Sequence, residues 1–126
     1  MASVSIPDHV DIIYELANGA QVHMRMSATT GLSTGNQMWI YGSEGTIHVD
    51  QERRVFAGRR GDTELAEVPN PPETQAYYRV EEQFTNAIRG KEQITMVPFH
   101  EGVHYMEWTE AVIRSAQSGR AISLPL

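Results

Sequence analysis

The chain of 126 residues has no cysteine, one lysine and no long apolar run, and each absence closes off a class of function. Without cysteine there are no disulfides and no thiolate metal sites. With Lys91 as its one lysine and a net charge of −6, the chain is a poor match for a phosphate backbone, so nucleic acid is not expected as a partner. Arg53, Arg54, Arg59 and Arg60 form a small basic group that reads as solvated strand and turn residues. No apolar run approaches the ~20 residues of a membrane span, so no membrane is expected. Met1 to Pro7 lacks a basic stretch followed by an apolar one and does not read as a signal peptide. A cysteine-free chain of this kind fits a reducing, cytoplasmic setting. The length fits a single domain over residues 1–126, and the 40% hydrophobic content is enough for one core.

What is present reads as strands first. Val10, Ile12, Tyr14 and Leu16 alternate with His9, Asp11 and Glu15, with Ile13 as the apolar exception. Val22, Met24, Met26 and Ala28 alternate with Gln21, His23, Arg25 and Ser27. Asn18-Gly19 between them is a hairpin signal. Opposed residues share a face, so a two-residue loop, which sets Leu16 against Gln21, would mix the faces. A three-residue loop that sets Leu16 against Val22 and Tyr14 against Met24 keeps them apart, with Gly19 or its neighbour left-handed. A second hairpin turns at Ser43-Glu44. It pairs Ile40 with Ile47 and Met38 with Val49 on one face, and Trp39 with His48 and Tyr41 with Thr46 on the other. Weaker strands run over Arg54 to Ala57 and Glu64 to Val68, before Pro69-Asn70-Pro71-Pro72 ends the strand region.

The second half reads as helices. Thr74 can cap a helix to about Arg89, with Tyr77, Val80, Phe84, Ala87 and Ile88 at helical spacing and Gly90 as the stop. A second helix runs from about Pro98 to Ser118 and ends at Gly119, carrying Val103, Met106, Val112, Ile113 and Ala116 on an apolar stripe. Ala121 to Leu126 reads as a short final strand. Strands followed by helices predict an α+β fold: an open, mainly antiparallel sheet with two main helices packed on one face.

His100-Glu101-Gly102-Val103-His104 matches the H-E-x-x-H pattern of zinc peptidases, in which two histidines share a helix face and the glutamate acts as general base. The helical wheel argues against that use. His100, His104, Glu107, Arg114 and Ser118 form the polar stripe opposite the apolar one, as on a solvated amphipathic helix. Glu110, a candidate third ligand, lies about 80° around and ~15 Å along an unbroken helix from His100. A small zinc hydrolase using His100, Glu101 and His104 is therefore the minor alternative. The remaining histidines lie on sheet faces and read as surface residues. No carboxylate pair, nucleophilic serine or glycine loop supports catalysis or phosphate binding.

The order of the segments carries more information. Ile40-Tyr41-Gly42-Ser43-Glu44-Gly45-Thr46-Ile47 follows the first hairpin. Phe84-Thr85-Asn86-Ala87-Ile88-Arg89-Gly90 and then Glu110-Ala111-Val112-Ile113-Arg114-Ser115-Ala116-Gln117-Ser118-Gly119 come later. This succession resembles the C-terminal domain of the Gfo/Idh/MocA oxidoreductases, over about residues 8 to 125. The resemblance implies a domain that walls part of a substrate pocket and uses its free sheet face for assembly. It also implies a parent enzyme acting with NAD or NADP on a sugar, polyol or related hydroxy compound. The family's cofactor and catalytic lysine sit on an N-terminal Rossmann domain. No G-x-G-x-x-G or parallel βαβ pattern occurs here, and Lys91 follows a helix stop rather than an E-K-P motif. The family's catalytic Asp and His lie just before the first strand, whereas His9 and Asp11 lie within it. No catalytic, cofactor-binding or metal-binding residue is therefore assigned, and the chain alone is not expected to transfer hydride. It reads as a fragment or remnant whose partner is the parent's Rossmann domain, with a stand-alone dimerising or scaffold domain as the alternative. Two large aromatics on a nominally wet face mark a partner surface, so the interface candidates are His23, Arg25, Trp39, Tyr41 and His48, in a homo-oligomer formed through the sheet.

Overall fold

A computed structural model describes residues 6–72, 78–95 and 97–126. Among the described residues six strands come first: β1 (His9–Glu15), β2 (Gln21–Ser27), β3 (Met38–Tyr41), β4 (Gly45–Val49), β5 (Val55–Arg59) and β6 (Ala66–Val68). Two helices follow, α1 (Val80–Ile88) and α2 (Phe99–Ser118). The strands form a two-stranded sheet, β1-β2, and a four-stranded sheet in the order β3-β4-β5-β6. The architecture is α+β and antiparallel, as the alternating first half and helical second half predict. The chain groups into two compact units, Met1–Asp11 with His23–Ala76, and Ile12–Val22 with Tyr77–Leu126.

In the first unit the register of the larger sheet follows the expected pairing. Trp39 lies opposite His48, Ile40 opposite Ile47 and Tyr41 opposite Thr46. The Gly42 N–H closes the β3–β4 turn on the Gly45 carbonyl at 2.8 Å. On the other side of β4, Gly45 faces Arg59, and the two backbones come very close. A Cβ on Gly45 would collide with the Gly58 carbonyl oxygen and lie 3.2 Å from Arg59 Cα. The glycine is thus required by space rather than by a left-handed backbone. The β4–β5 turn is organised by Asp50, whose Oδ1 accepts the N–H groups of Glu52 and Arg54, both at 2.9 Å. Arg54 returns its guanidinium to Asp50 Oδ2 at 2.7 Å. These bonds outweigh partial desolvation and hold the Asp50 carboxyl below its usual range.

The first hairpin has the three-residue loop expected, with a different register. The Leu16 N–H donates to the Ala20 carbonyl and the Gly19 N–H to the Leu16 carbonyl, both at 2.8 Å, and Gly19 has φ +84°. Leu16 therefore opposes Ala20 and not Val22. A hydrogen-bonded turn over Leu16–Gly19 closes the loop one residue earlier than the expected pairing assumed, and the left-handed Gly19 redirects the strand without mixing the faces. Burial alternates along β1: Val10, Ile12 and Tyr14 are half-buried, while His9, Asp11, Ile13 and Glu15 are exposed.

In the second unit, the Tyr14 ring meets the Trp108 ring of α2 edge-on, with centroids 6.0 Å apart. The described part of α1 begins at Val80; Thr74 and Tyr77 lie outside the described residues. Gly119 ends α2 with φ +67° and donates its N–H to the Ser115 carbonyl at 2.8 Å, as a left-handed cap does. Ala121–Leu126 is not the strand expected: these residues have no ladder partner among those described, and Pro125 has no N–H to offer one. The most buried residue of α1 is polar. Gln83, 4% exposed, donates Nε2 to Thr95 Oγ1 at 2.8 Å, and its Oε1 accepts the Thr95 N–H at 3.2 Å. Beside it, Glu92 accepts from Asn86 Nδ2 and, in a two-point contact, from both terminal nitrogens of Arg79. Asn86 and then these partners lower the Glu92 carboxyl. This amide clip ties the segment after α1 to the helix. Gln83→Ala removes both bonds to Thr95, which water can in part replace at that exposed residue, and is expected to cost about 1 kcal/mol in urea unfolding. A cost no larger than that of an exposed-site substitution would show that the clip does not hold the segment.

Candidate functional site

The described residues are unusually open. Among them, Ala111 and Gln83 are the most buried, at 7% and 4% exposed, while Trp39, Ile40, Tyr41 and Ile47 of the larger sheet are all more than 40% exposed. Period-two alternation explains how this sheet comes to have two apolar faces. One is aliphatic: Met38, Ile40, Ile47, Val49, Val55 and Ala57 are matched by the strand register. The other is aromatic.

On the aromatic face, rings from three strands stand in one row. The Trp39 ring stacks on His48 at 3.8 Å between centroids and 14° between planes. The Tyr41 ring, two residues along the same strand, lies parallel to Trp39 at 5.9 Å and 8°. Phe56 continues the row beyond His48 at 5.9 Å. Arg54 caps it, its guanidinium carbon 5.5 Å from the Phe56 centroid. Cation–π and stacking contacts of this kind favour upright, ordered rings. His48 Nε2 is buried and has no hydrogen-bond partner among the described residues. A buried nitrogen left unpaired is a cost that the stack must offset.

The second cluster lies on the first hairpin. Asp11 is its hub: it accepts Arg25 Nε at 2.8 Å on Oδ1, and it lies 3.1 Å from His9 Nε2 and 3.3 Å from His23 Nε2. The Arg25 bond, followed by the one from His9, holds the Asp11 carboxyl well below its ordinary range. The sign of the pH effect follows. A lowered carboxyl contributes stability that is present above its ordinary value of 3.8 and fades as pH falls toward the folded-state value. The difference in melting temperature between the parent chain and Asp11→Asn should thus be full at neutral pH and shrink in acid. A difference that stays constant from neutral pH to pH ~3 would remove the hub's role.

The five interface candidates therefore fall into two groups. Trp39, Tyr41 and His48 come together in the ring row, while His23 and Arg25 meet on Asp11. Reading the sequence alone missed Phe56 and Arg54 as extensions of the row, and His9 and Asp11 as the centre of the hairpin cluster. The signal for Phe56 was its place opposite His48 on the next strand. The H-E-x-x-H residues are engaged locally: His100 Nε2 lies 3.8 Å from Glu101 Oε1, and His104 Nδ1 lies 3.3 Å from Glu107 Oε2. Among the described residues, no group of three or more His, Asp or Glu is placed to hold a metal ion. No described helix is long and apolar enough to cross a membrane.

The sequence model of an oxidoreductase family's C-terminal alpha/beta domain, that of the Gfo/Idh/MocA proteins, matches residues 4–124. The chain belongs to this oxidoreductase family. Neither a curated protein nor a solved structure matches it. Membership in this Gfo/Idh/MocA domain implies a Rossmann partner domain, N-terminal to it, in the parent enzyme, and a nucleotide cofactor for that enzyme. It also gives the glycines of the Gfo/Idh/MocA-like segments a physical meaning here: Gly45 permits the close approach of β4 to β5, and Gly119 caps α2.

Proposed function

We propose that this chain serves as the C-terminal domain, over residues 1–126, of an NAD(P)-dependent oxidoreductase acting on a sugar, polyol or related hydroxy compound. It supplies walls of the substrate pocket and an assembly surface, while cofactor and hydride transfer belong to the Rossmann domain. The substrate class rests on family membership. The assembly role rests on one observation, the larger sheet with apolar side chains on both faces. An antiparallel sheet covered on one side alternates apolar with polar residues; one that is apolar on both sides calls for two covers. The row of Tyr41, Trp39, His48 and Phe56 suits a second copy. Aromatic rings are what interface centres are enriched in. The absence of cysteine supports a cytoplasmic setting.

Sedimentation equilibrium across a concentration series, paired with NADH and NADPH titrations, tests this. The isolated chain should self-associate and should leave both nucleotides unbound in the micromolar range. A chain that stays monomeric at high concentration would remove the assembly role. Micromolar nucleotide binding would place the cofactor on the wrong domain.

A further inference from the structure

The first hairpin places an Asn-Gly pair in an exposed turn whose bonds determine its chemistry. Asparagine followed by glycine is prone to an internal reaction, because no side chain on the next residue hinders attack. The Gly19 amide nitrogen, after losing its proton to base, bonds to Asn18 Cγ. The Cγ–N bond of the carboxamide then breaks, and ammonia leaves. Water opens the resulting succinimide at either carbonyl, giving aspartate or isoaspartate, so the sum is asparagine plus water to acid plus ammonia. No oxidant, reductant or further reactant is needed.

The other asparagines lack this neighbour: Asn36 precedes Gln37, Asn70 precedes Pro71 and Asn86 precedes Ala87. At Asn18 a Cβ on the following residue would meet nothing within 4 Å, so the site is open to water. Both reacting groups are nonetheless engaged. The nucleophile's N–H is donated to the Leu16 carbonyl at 2.8 Å, and the carboxamide Oδ1 accepts the Ala20 N–H at 3.0 Å. Ring closure has to break both bonds. Closing bonds also flank the loop: the Leu16 N–H donates to the Ala20 carbonyl at 2.8 Å. The same unit packs Tyr14, two residues before Leu16, edge-on against Trp108.

We propose that Asn18 is a deamidation site of this chain held closed by the folded turn, so that its conversion reports opening of the hairpin tip. The isoaspartate product adds a backbone carbon to a three-residue loop, which can then no longer set Leu16 opposite Ala20. Either product places a new carboxylate at the turn.

Incubating the full chain at mildly alkaline pH, with and without denaturant, and mapping the peptides by mass and isoaspartate content, tests this. Conversion is expected at Asn18 ahead of Asn36, Asn70 and Asn86. It should run at least about ten-fold slower in the native chain than in denaturant, since opening of the turn must precede reaction. Asn18→Gln should remove the fast product while preserving circular dichroism. Equal native and denatured rates would overturn the protection. Faster conversion at another asparagine would overturn the assignment.

Discussion

Gly45→Ala is expected to destabilise the protein by about 2–3 kcal/mol, lowering the melting temperature by about 10 °C. The added methyl carbon would run into the Gly58 carbonyl oxygen and crowd Arg59 Cα at 3.2 Å. Those atoms are backbone, so no rotamer change relieves the contact. Either β4 and β5 separate, with loss of ladder bonds, or the β3–β4 turn deforms. Gly42→Ala is the matched control in the same turn. A Cβ there meets one atom, the Gly45 carbonyl oxygen, at 3.4 Å, which is ordinary contact. Thermal melts of the two variants should therefore differ sharply. Equal losses would mean that the turn, and not the strand contact, needs the glycine.

Trp39→Ala is expected to weaken self-association by a factor of about 30 or more, corresponding to roughly 2 kcal/mol at a central aromatic. Trp39 is the middle of the ring row, in contact with both Tyr41 and His48. Removing it leaves the neighbouring rings without support, so its effect mixes assembly with local order. Tyr41→Ser separates the two. Tyr41 is 75% exposed and stacks on one neighbour, so its loss should weaken assembly while leaving the urea midpoint nearly unchanged. Leu32→Ser, at a fully exposed loop position, should change neither. Unaltered sedimentation of Trp39→Ala and Tyr41→Ser would exclude the aromatic face as the contact.

The second hairpin was fully legible because its faces differ in kind. Shifting the register by one residue would place Trp39 and Tyr41 among the aliphatic side chains, so the alternation leaves one pairing. The first hairpin was legible in its faces and not in its partners. A shift of two residues preserves every face, and the choice fell to the Leu16–Gly19 turn, a local bond that alternation does not encode. The α2 helix was legible at both ends because Pro98 and Gly119 punctuate it. Ala121–Leu126 was misread because an apolar run records a preference for extended backbone, and a strand also requires a neighbour.

The clusters divide in the same way. Trp39 and Tyr41 announced themselves as large rings on a wet face. Gln83 did not, because a buried amide looks like any surface glutamine until both of its ends find Thr95. Asp11 was hidden for a similar reason. Its importance lies in three partners gathered from two strands, none of them unusual in itself.

The chain's path through its two units bears on how the protein can be taken apart. The chain passes from one unit to the other after Asp11, returns after Val22 and leaves again after Ala76. Each unit is thus assembled from separated stretches of sequence. A cut after Ala76 would strip the helical unit of its eleven-residue hairpin tip, Ile12–Val22, and leave that tip stranded on the sheet fragment. Neither half can be expressed whole as one continuous piece. Complementation by split fragments, domain grafting and deletion mapping would all have to treat residues 12–22 as belonging with the C-terminal half.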